Sequence, residues 1–169
     1  MSMTDGHLLF KSSLRSQGQT PAIDLTLSIS RVGRQTQDQV SNSLSSRIRQ
    51  VLSEASDLET LSRFSSELPP ETQIILTRRN QIIELLKQDP LIPTPKPIQL
   101  ILLALPFTTF LNDKNRSFIE NNKRKIVQAF LTDPKLSSIT KSVEALKSSD
   151  DLIALLEKTS PTLTSICSL

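Results

Sequence analysis

Apolar residues recur at three- and four-residue intervals through most of the chain, which is the spacing of helices that bury one face. The pattern from Val40 to Leu61 predicts one long amphipathic helix or two short ones. Proline separates the stretches that follow, because it cannot continue a helix in its interior. Those stretches run from Pro70 to Gln88, from Ile98 to Phe110 with a kink or early end at Pro106, from Phe118 to Leu131 before Pro134, from Ile139 to Leu146, and from Leu152 to Leu156 behind a Ser149–Asp150 cap. Together they predict a bundle of five or six helices.

The first 34 residues have a different pattern. Apolar and polar residues alternate from Ala22 to Ser30, which predicts a half-buried strand, and His7 to Phe10 predicts a second, shorter strand. All three glycines of the chain lie at or before Gly33. The sequence therefore predicts a mainly helical fold with a strand-and-turn segment over 1–34 and a helical domain over 35–169. Because two strands alone do not form a stable sheet, we expect the first segment to complete a sheet whose other strands come from another chain.

Composition excludes several classes of protein and site. The 169 residues carry a formal charge of +3, with a single His and a single Cys and no Trp or Tyr. One Cys cannot form an internal disulfide, and no metal site is predicted from such a sparse set of ligands. Without stacking aromatics or a basic block, nucleic acid is not an expected partner. The longest apolar run, Leu100 to Phe107, is much too short to cross a bilayer.

The chemically capable residues form no catalytic constellation. The sequence has no glycine-rich loop of the kind that cradles a triphosphate. The residues alone favour ordinary structural roles for His7, for Cys167 and for the acids Asp150 and Asp151. The basic runs 123–125 and 78–79 are read as solvated helix faces in preference to contacts for an acidic partner.

Arg31 is distinguished by its position. It directly follows the predicted strand and precedes Val32 and Gly33. An arginine there is commonly a surface residue or a salt-bridge partner. It is also a place from which a fixed guanidinium can reach a phosphate held by a neighbouring subunit.

Five short motifs resemble the C-terminal third of the alpha subunit of F-type ATP synthases. Residues 2–6 (SMTDG), 21–23 (PAI) and 27–33 (LSISRVG) are similar in order and spacing to that family's S-I-T-D-G, P-A-I and L-S-V-S-R-V-G. Residues 64–68 (FSSEL) and 84–88 (ELLKQ) are similar to its F-G-S-D-L and E-L-L-K-Q. The resemblance covers residues 2 to about 90, and beyond that only the helical pattern agrees.

The resemblance implies roles for four residues. Arg31 matches the arginine finger that reaches the γ-phosphate of nucleotide bound in the catalytic beta subunit. Ser2 matches a serine near the same interface. Pro21 and Gln88 match positions that border the adenine in the alpha subunit's noncatalytic site. The chain departs from the family beside both of these last residues. Thr20, directly before Pro21, replaces an arginine, and Pro90, two residues after Gln88, replaces a second glutamine.

The resemblance also implies partners and a location. ATP or ADP with Mg would be bound mainly by partner chains, and this chain alone is expected to bind none. The expected partners are the N-terminal part of the alpha subunit as a separate fragment, the beta subunit, and the central-stalk gamma subunit, which would face the loop Ser65–Glu71. A membrane would be contacted only through the assembled complex. No presequence precedes the first motif, so a mitochondrion is preferred over a plastid or a bacterial membrane periphery.

Two functions therefore compete. The first is a part of a proton-translocating ATP synthase that supplies an arginine finger and a rotor-facing bundle. The second is a repurposed helical interaction module without a role in ATP turnover, which the changed adenine-site positions favour. The residues support no independent enzyme.

Overall fold

The chain begins with a small antiparallel ribbon and continues as a helical bundle. The computed structural model describes residues 5–62, 69–88 and 93–167. Its strands are β1 (Gly6–His7) and β2 (Ile29–Ser30), and short 3-10 turns lie at 105–107, 109–111 and 143–145. The α-helices of the described residues are α1 (Ser12–Ser16), α2 (Val32–Gln35), α3 (Gln39–Ser62), α4 (Pro70–Leu86), α5 (Lys96–Ala104), α6 (Arg116–Thr132), α7 (Pro134–Ser142), α8 (Ser149–Glu157) and α9 (Ser160–Cys167).

Recognisable start signals precede four of the helices of the described residues. Pro70 takes the first position of α4, as predicted, and the Asn115 side chain caps α6 by accepting from the Phe118 N–H. The Asp133 carboxylate caps α7 in the same way. At α8 the capping box is formed by Ser148 and Asp151, one residue earlier than the predicted cap. Each cap satisfies N–H groups that have no partner within their helix.

Helix α5 lies at the centre of the bundle. It contacts α3, α4, α6, α7 and α8, and Ile98 and Ile101 are completely buried. It ends at Ala104, and the chain continues through Pro106 in a 3-10 turn, so the predicted early end is confirmed. A helix that is apolar on nearly every side is stable only when its neighbours surround it, and α5 has that environment.

Helix α9 was not predicted from the sequence. It spans Ser160–Cys167, packs against α6, and completely buries Leu163. One buried leucine in eight residues gives little periodic signal. Its stability comes from packing more than from local propensity.

The ribbon corrects the predicted strand from Ala22 to Ser30. Only Ile29–Ser30 pairs as a strand with Gly6–His7, and Ile23 forms a single bridge with Phe10. Between them the Asp24 carboxylate accepts the N–H groups of Thr26 and Leu27, at 2.9 and 3.0 Å, and closes a turn. A short acidic side chain can offer the backbone a turn in place of a sheet ladder, and here it outweighs the alternation.

The ribbon leaves an apolar surface uncovered within the described residues. We call this surface the ribbon patch, and its members are Leu8, Leu9, Phe10, Leu27, Ile29 and Val32, which are 38–67% exposed. Leu25 alone on this segment packs against the bundle core. Exposed apolar residues of this kind are candidates for contact with another chain, and the expectation that the segment completes a larger sheet stays a prediction.

Candidate functional site

Arg31 lies between β2 and α2 with its side chain directed into solvent. Its N–H donates to the Asp5 carbonyl at 2.9 Å, which extends the pairing of the ribbon. Its guanidinium is 3.5 Å from the Asp5 carboxylate, and the two side chains are 72% and 76% exposed. An ion pair this exposed contributes little to stability, so the guanidinium is accessible to another anion.

The backbone that precedes Arg31 is anchored to the bundle through Ser28. Ser28 is buried, and its hydroxyl accepts the Leu9 N–H at 3.0 Å while donating to the Asp24 carbonyl. Arg49 of α3 donates to the Ser28 carbonyl at 3.3 Å. The segment is therefore tied on one side to the first ribbon strand and on the other to a long helix.

The turn below this anchor is held by Asp24. Burial raises the pKa of the Asp24 carboxyl, but hydrogen bonds from Lys11, Thr26 and Leu27 outweigh burial and hold that pKa well below its usual range. The Lys11 ammonium lies 2.6 Å from the carboxylate. Asp24 thus stays ionised over the ordinary pH range and keeps the turn closed.

Gly6 is required by the close approach of the two strands. A Cβ atom at this position would lie 2.4 Å from the Ile29 carbonyl oxygen. That contact is with backbone, so rotation of a side chain cannot relieve it. Only glycine allows the ribbon to close at this point.

The structure brings the two residues matched to the adenine site close together. The Gln88 N–H donates to the Thr20 carbonyl at 2.9 Å, and Thr20 directly precedes Pro21. The Gln88 side chain is exposed at the rim of an open groove of about 550 Å³ between α4 and α6. These residues are far apart along the chain, and only the family resemblance indicated that they lie close together.

The end of α4 beside Gln88 carries a charge network around the buried Glu84 carboxylate. The Glu84 carboxylate is 2.9 Å from the Lys87 ammonium and 2.7 Å from Arg116 Nε. Burial raises the pKa of Glu84, but hydrogen bonds from these two cations outweigh it and lower that pKa. Lys123 of α6 donates to the Leu85 carbonyl at 2.8 Å and to the carbonyls of Glu84 and Lys87.

Lys123 corrects the interpretation of the run 123–125 as a solvated face. Arg124 and Lys125 are exposed, whereas Lys123 is partly buried against the end of α4. Burial lowers the pKa of its ammonium, although the nearby Glu84 charge partly opposes that effect. The sequence could not indicate this difference, because it arises from tertiary packing and nothing in the run distinguishes its first residue from its third.

The run 78–79 is also not a solvated face. Arg78 donates to the Pro106 carbonyl at 2.9 Å and lies 5.5 Å from the centre of the Phe107 ring. Arg47 of α3 lies 4.7 Å from the same ring. Arg79 pairs with Glu59 at 2.6 Å. These contacts join α3, α4 and the turn after α5, and they are structural.

The remaining candidate residues gather into no reactive site. His7 is exposed on β1, and Asp150 pairs with Arg47 at 2.6 Å. Burial raises the pKa of the Cys167 thiol, which makes it a poor nucleophile. Within residues 5–62, 69–88 and 93–167 no group of three or more His, Cys, Asp or Glu side chains is placed to hold a metal ion. No helix of those ranges is long and apolar enough to cross a membrane.

Two predicted sites fall wholly or partly outside the described residues. Ser2 precedes them, and the loop Ser65–Glu71 lies outside them up to residue 68. Pro70 and Glu71, at the end of that loop, form the first turn of α4. The roles of Ser2 and of the loop therefore stay predictions.

The sequence of the chain matches a known protein family. The family model for the ATP synthase alpha/beta chain, C-terminal domain, matches residues 37–161. The chain belongs to this family. It is similar to ATP synthase subunit alpha of Mesomycoplasma hyopneumoniae, with 34% identity over 135 residues that make up 80% of this chain and 27% of that protein. It is also similar to ATP synthase subunit alpha of Lawsonia intracellularis, with 32% identity over 147 residues, 86% of this chain and 29% of that protein.

These matches confirm the resemblance of the chain to the C-terminal part of ATP synthase alpha subunits. The chain spans less than a third of the length of these relatives. The region that the family model matches includes the bundle through α8, together with Gln88 and Lys123, while Arg31 and Pro21 precede that region. Both named relatives are bacterial, which fits the bacterial alternative for location and gives no support to the mitochondrial preference.

Proposed function

We propose that the chain works as the C-terminal part of the alpha subunit in a proton-translocating F-type ATP synthase, with Arg31 as an arginine finger for the beta subunit's catalytic site. The observation that carries this proposal is the exposed Arg31 guanidinium on an anchored ribbon. A guanidinium presents several donors in a planar fork that suits phosphate oxygens. Its weak ion pair with Asp5 is readily exchanged for the γ-phosphate of a bound nucleotide.

The proposed catalytic contribution is electrostatic. Charge develops on the phosphoryl oxygens as the γ-phosphate is transferred, and a positioned guanidinium offsets it. The chain has no glycine-rich phosphate loop, so ATP or ADP with Mg would be held mainly by partner chains. Its own share of the mechanism is to hold one positive charge at a fixed place.

The ribbon patch supports the proposed partner within the alpha subunit. Residues 1–34 would belong to the nucleotide-binding domain, whose remaining strands would cover the patch, and 35–169 would form the bundle. The proposed contact with the central-stalk gamma subunit is the loop Ser65–Glu71. The hydrogen bond between Gln88 and Thr20 supports a shared role of Gln88 and Pro21 beside the adenine of the noncatalytic site.

The test replaces Arg31 in the assembled ATP synthase. Arg31→Ala and Arg31→Lys should lower multisite ATP hydrolysis steeply, since finger arginines are worth about 10³ to 10⁵ in rate in other systems. Assembly should be retained, because the Arg31 side chain supports little of the fold. Arg15→Ala is the matched control, since Arg15 is an exposed arginine of the same segment. An Arg31→Ala complex that hydrolyses ATP at the control rate would refute the catalytic role.

The second candidate function is a helical interaction module outside ATP turnover. The specific observation in its favour is Thr20, which supplies no guanidinium beside Pro21. Mass spectrometry of the purified ATP synthase distinguishes the two proposed functions by showing whether this polypeptide is present in the complex. The main proposal expects this polypeptide in stoichiometric amount, together with a phosphate-loop-containing partner region, at the periphery of the membrane. The bacterial relatives favour a bacterial membrane for that location.

A further inference from the structure

We propose that Lys123 is a positioning residue that fixes the peptide group between Lys87 and Gln88, and through it the Gln88 side chain. The geometry of the α4 terminus carries this inference. Its consequence for nucleotide rests on the proposed adenine-bordering role of Gln88, whereas the positioning itself does not.

The first step is the way in which Lys123 meets the end of α4. The last carbonyls of a helix have no N–H partner within it, and basic side chains commonly satisfy them. The Lys123 ammonium donates to the carbonyls of Glu84, at 3.4 Å, of Leu85, at 2.8 Å, and of Lys87. An ammonium has three donors, so these acceptors can occupy all of them. Lys123 is thereby committed to backbone and is not a free surface cation.

The second step is that two basic side chains of α6 contact the end of α4. Arg116 and Lys123 are seven residues apart on α6, about two helical turns, and so share one face. Arg116 holds the Glu84 carboxylate at 2.7 Å, while Lys123 holds the carbonyls that follow. Two cations of one helix therefore bind the last turn of the other, which limits their relative movement.

The third step concerns a single peptide group. Its carbonyl, that of Lys87, accepts from Lys123, and its N–H, that of Gln88, donates to the Thr20 carbonyl at 2.9 Å. A peptide group is planar, so hydrogen bonds at both of its ends fix the orientation of the whole plane. Hydrogen bonds in series through one peptide also polarise each other and strengthen. The loss of Lys123 should therefore weaken the contact between Gln88 and Thr20, although Lys123 does not touch Thr20.

The test measures hydrogen exchange of the Gln88 amide in the full 169-residue chain. Lys123→Met removes the donors but keeps most of the side-chain volume, and should speed exchange at Gln88 about tenfold or more, the scale of a lost hydrogen bond to a charged group. Lys125→Met is the matched control, since Lys125 is exposed on the same helix, and should leave exchange unchanged. Lys123→Arg keeps the charge and should restore part of the protection. Wild-type exchange at Gln88 in a folded Lys123→Met chain would overturn the proposal.

A second measurement uses the wild-type chain, so it tests the proposal even if the Lys123→Met chain fails to fold. Nuclear magnetic resonance of the wild-type side-chain ammonium groups should show slower proton exchange at Lys123 than at Lys125. Equal exchange at the two ammonium groups would overturn the proposal.

The nucleotide consequence is measured separately in the assembled ATP synthase with Mg-ADP as the probe. Faster Gln88 exchange with weaker retention of Mg-ADP at noncatalytic sites supports both the positioning and the proposed role of Gln88. Faster exchange with unchanged retention supports the positioning by Lys123 and refutes the adenine-bordering role.

Discussion

Glu84 is the buried charge on which the end of α4 depends, and Glu84→Gln should destabilise the chain. The carboxylate is only 6% exposed and accepts from two cations, at 2.9 and 2.7 Å. Glutamine preserves the shape and one oxygen acceptor, but it removes the negative charge that both cations face. Arg116 and Lys87 would then remain beside each other without a counter-charge.

The expected loss in the free energy of unfolding follows from how deeply the three side chains are buried. Removal of one partner from a fully buried ion pair costs about 3–5 kcal/mol, and an exposed pair is worth about 0.2–1 kcal/mol. The Arg116 side chain is 47% exposed and the Lys87 side chain 23%, so water recovers part of the loss. We expect about 2 kcal/mol, between those limits. With a urea dependence of about 2 kcal/mol per molar, the unfolding midpoint should fall by about 1 M.

The assay is urea unfolding of the full chain, followed by circular dichroism. Glu120→Gln is the matched control, because Glu120 is an exposed acid on α6, and it should change stability by less than about 0.5 kcal/mol. The Glu84 pKa is lowered on folding, so its stabilisation is present above the unfolded pKa and is lost as pH falls through the folded one. The gap between wild type and Glu84→Gln should therefore narrow in acid. A Glu84→Gln midpoint equal to that of the control at neutral pH would refute this reasoning.

Two other changes test separate parts of the structure. Burial raises the pKa of Asp38, but hydrogen bonds from Lys96 and Ser41 lower it to about 2, so Asp38→Asn should cost about 1 kcal/mol at neutral pH and only a small part of that at pH 2, where the folded carboxyl is half protonated. Parallel urea titrations at the two pH values check this, and an equal cost at both would contradict it. Gly6→Ala should open the ribbon through its contact with the Ile29 carbonyl and speed exchange of the Arg31 amide, whereas the exposed Ser12→Ala should not. An Arg31 amide as protected as in wild type would show that the strands tolerate the added atom.

Periodicity predicted the long helices because their burial is one-sided. Most apolar positions of α3, α4 and α6 face the core at helical spacing, so their order along the chain carries the information, although Ile74 of α4 and Leu131 of α6 are exposed. The predicted strand from Ala22 to Ser30 was wrong because alternation does not register the competing hydrogen bonds of Asp24. Helix α9 gave too weak a pattern, since its single buried residue is Leu163.

The candidate site was less accessible to pattern reasoning. Arg31 was distinguished by its position after the predicted strand, but its proposed role, like the choice of Gln88, came from resemblance to a family. Lys123 and Lys125 are the same residue type, two positions apart, yet one meets backbone carbonyls and the other meets solvent. That difference is decided by where α4 ends against α6, which is a property of the packed structure.

The bundle holds both candidate segments by the same chemistry. Arg49 of α3 donates to the Ser28 carbonyl, three residues before Arg31, and Lys123 of α6 donates to the Lys87 carbonyl, one residue before Gln88. In each case a basic side chain of a packed helix donates to a backbone carbonyl that precedes the candidate residue. Backbone acceptors are present whatever the segment's side chains are, so such anchors tolerate substitution at the anchored residue. The side chains of Arg31 and Gln88 are exposed, while the main chain beside them is anchored to the bundle.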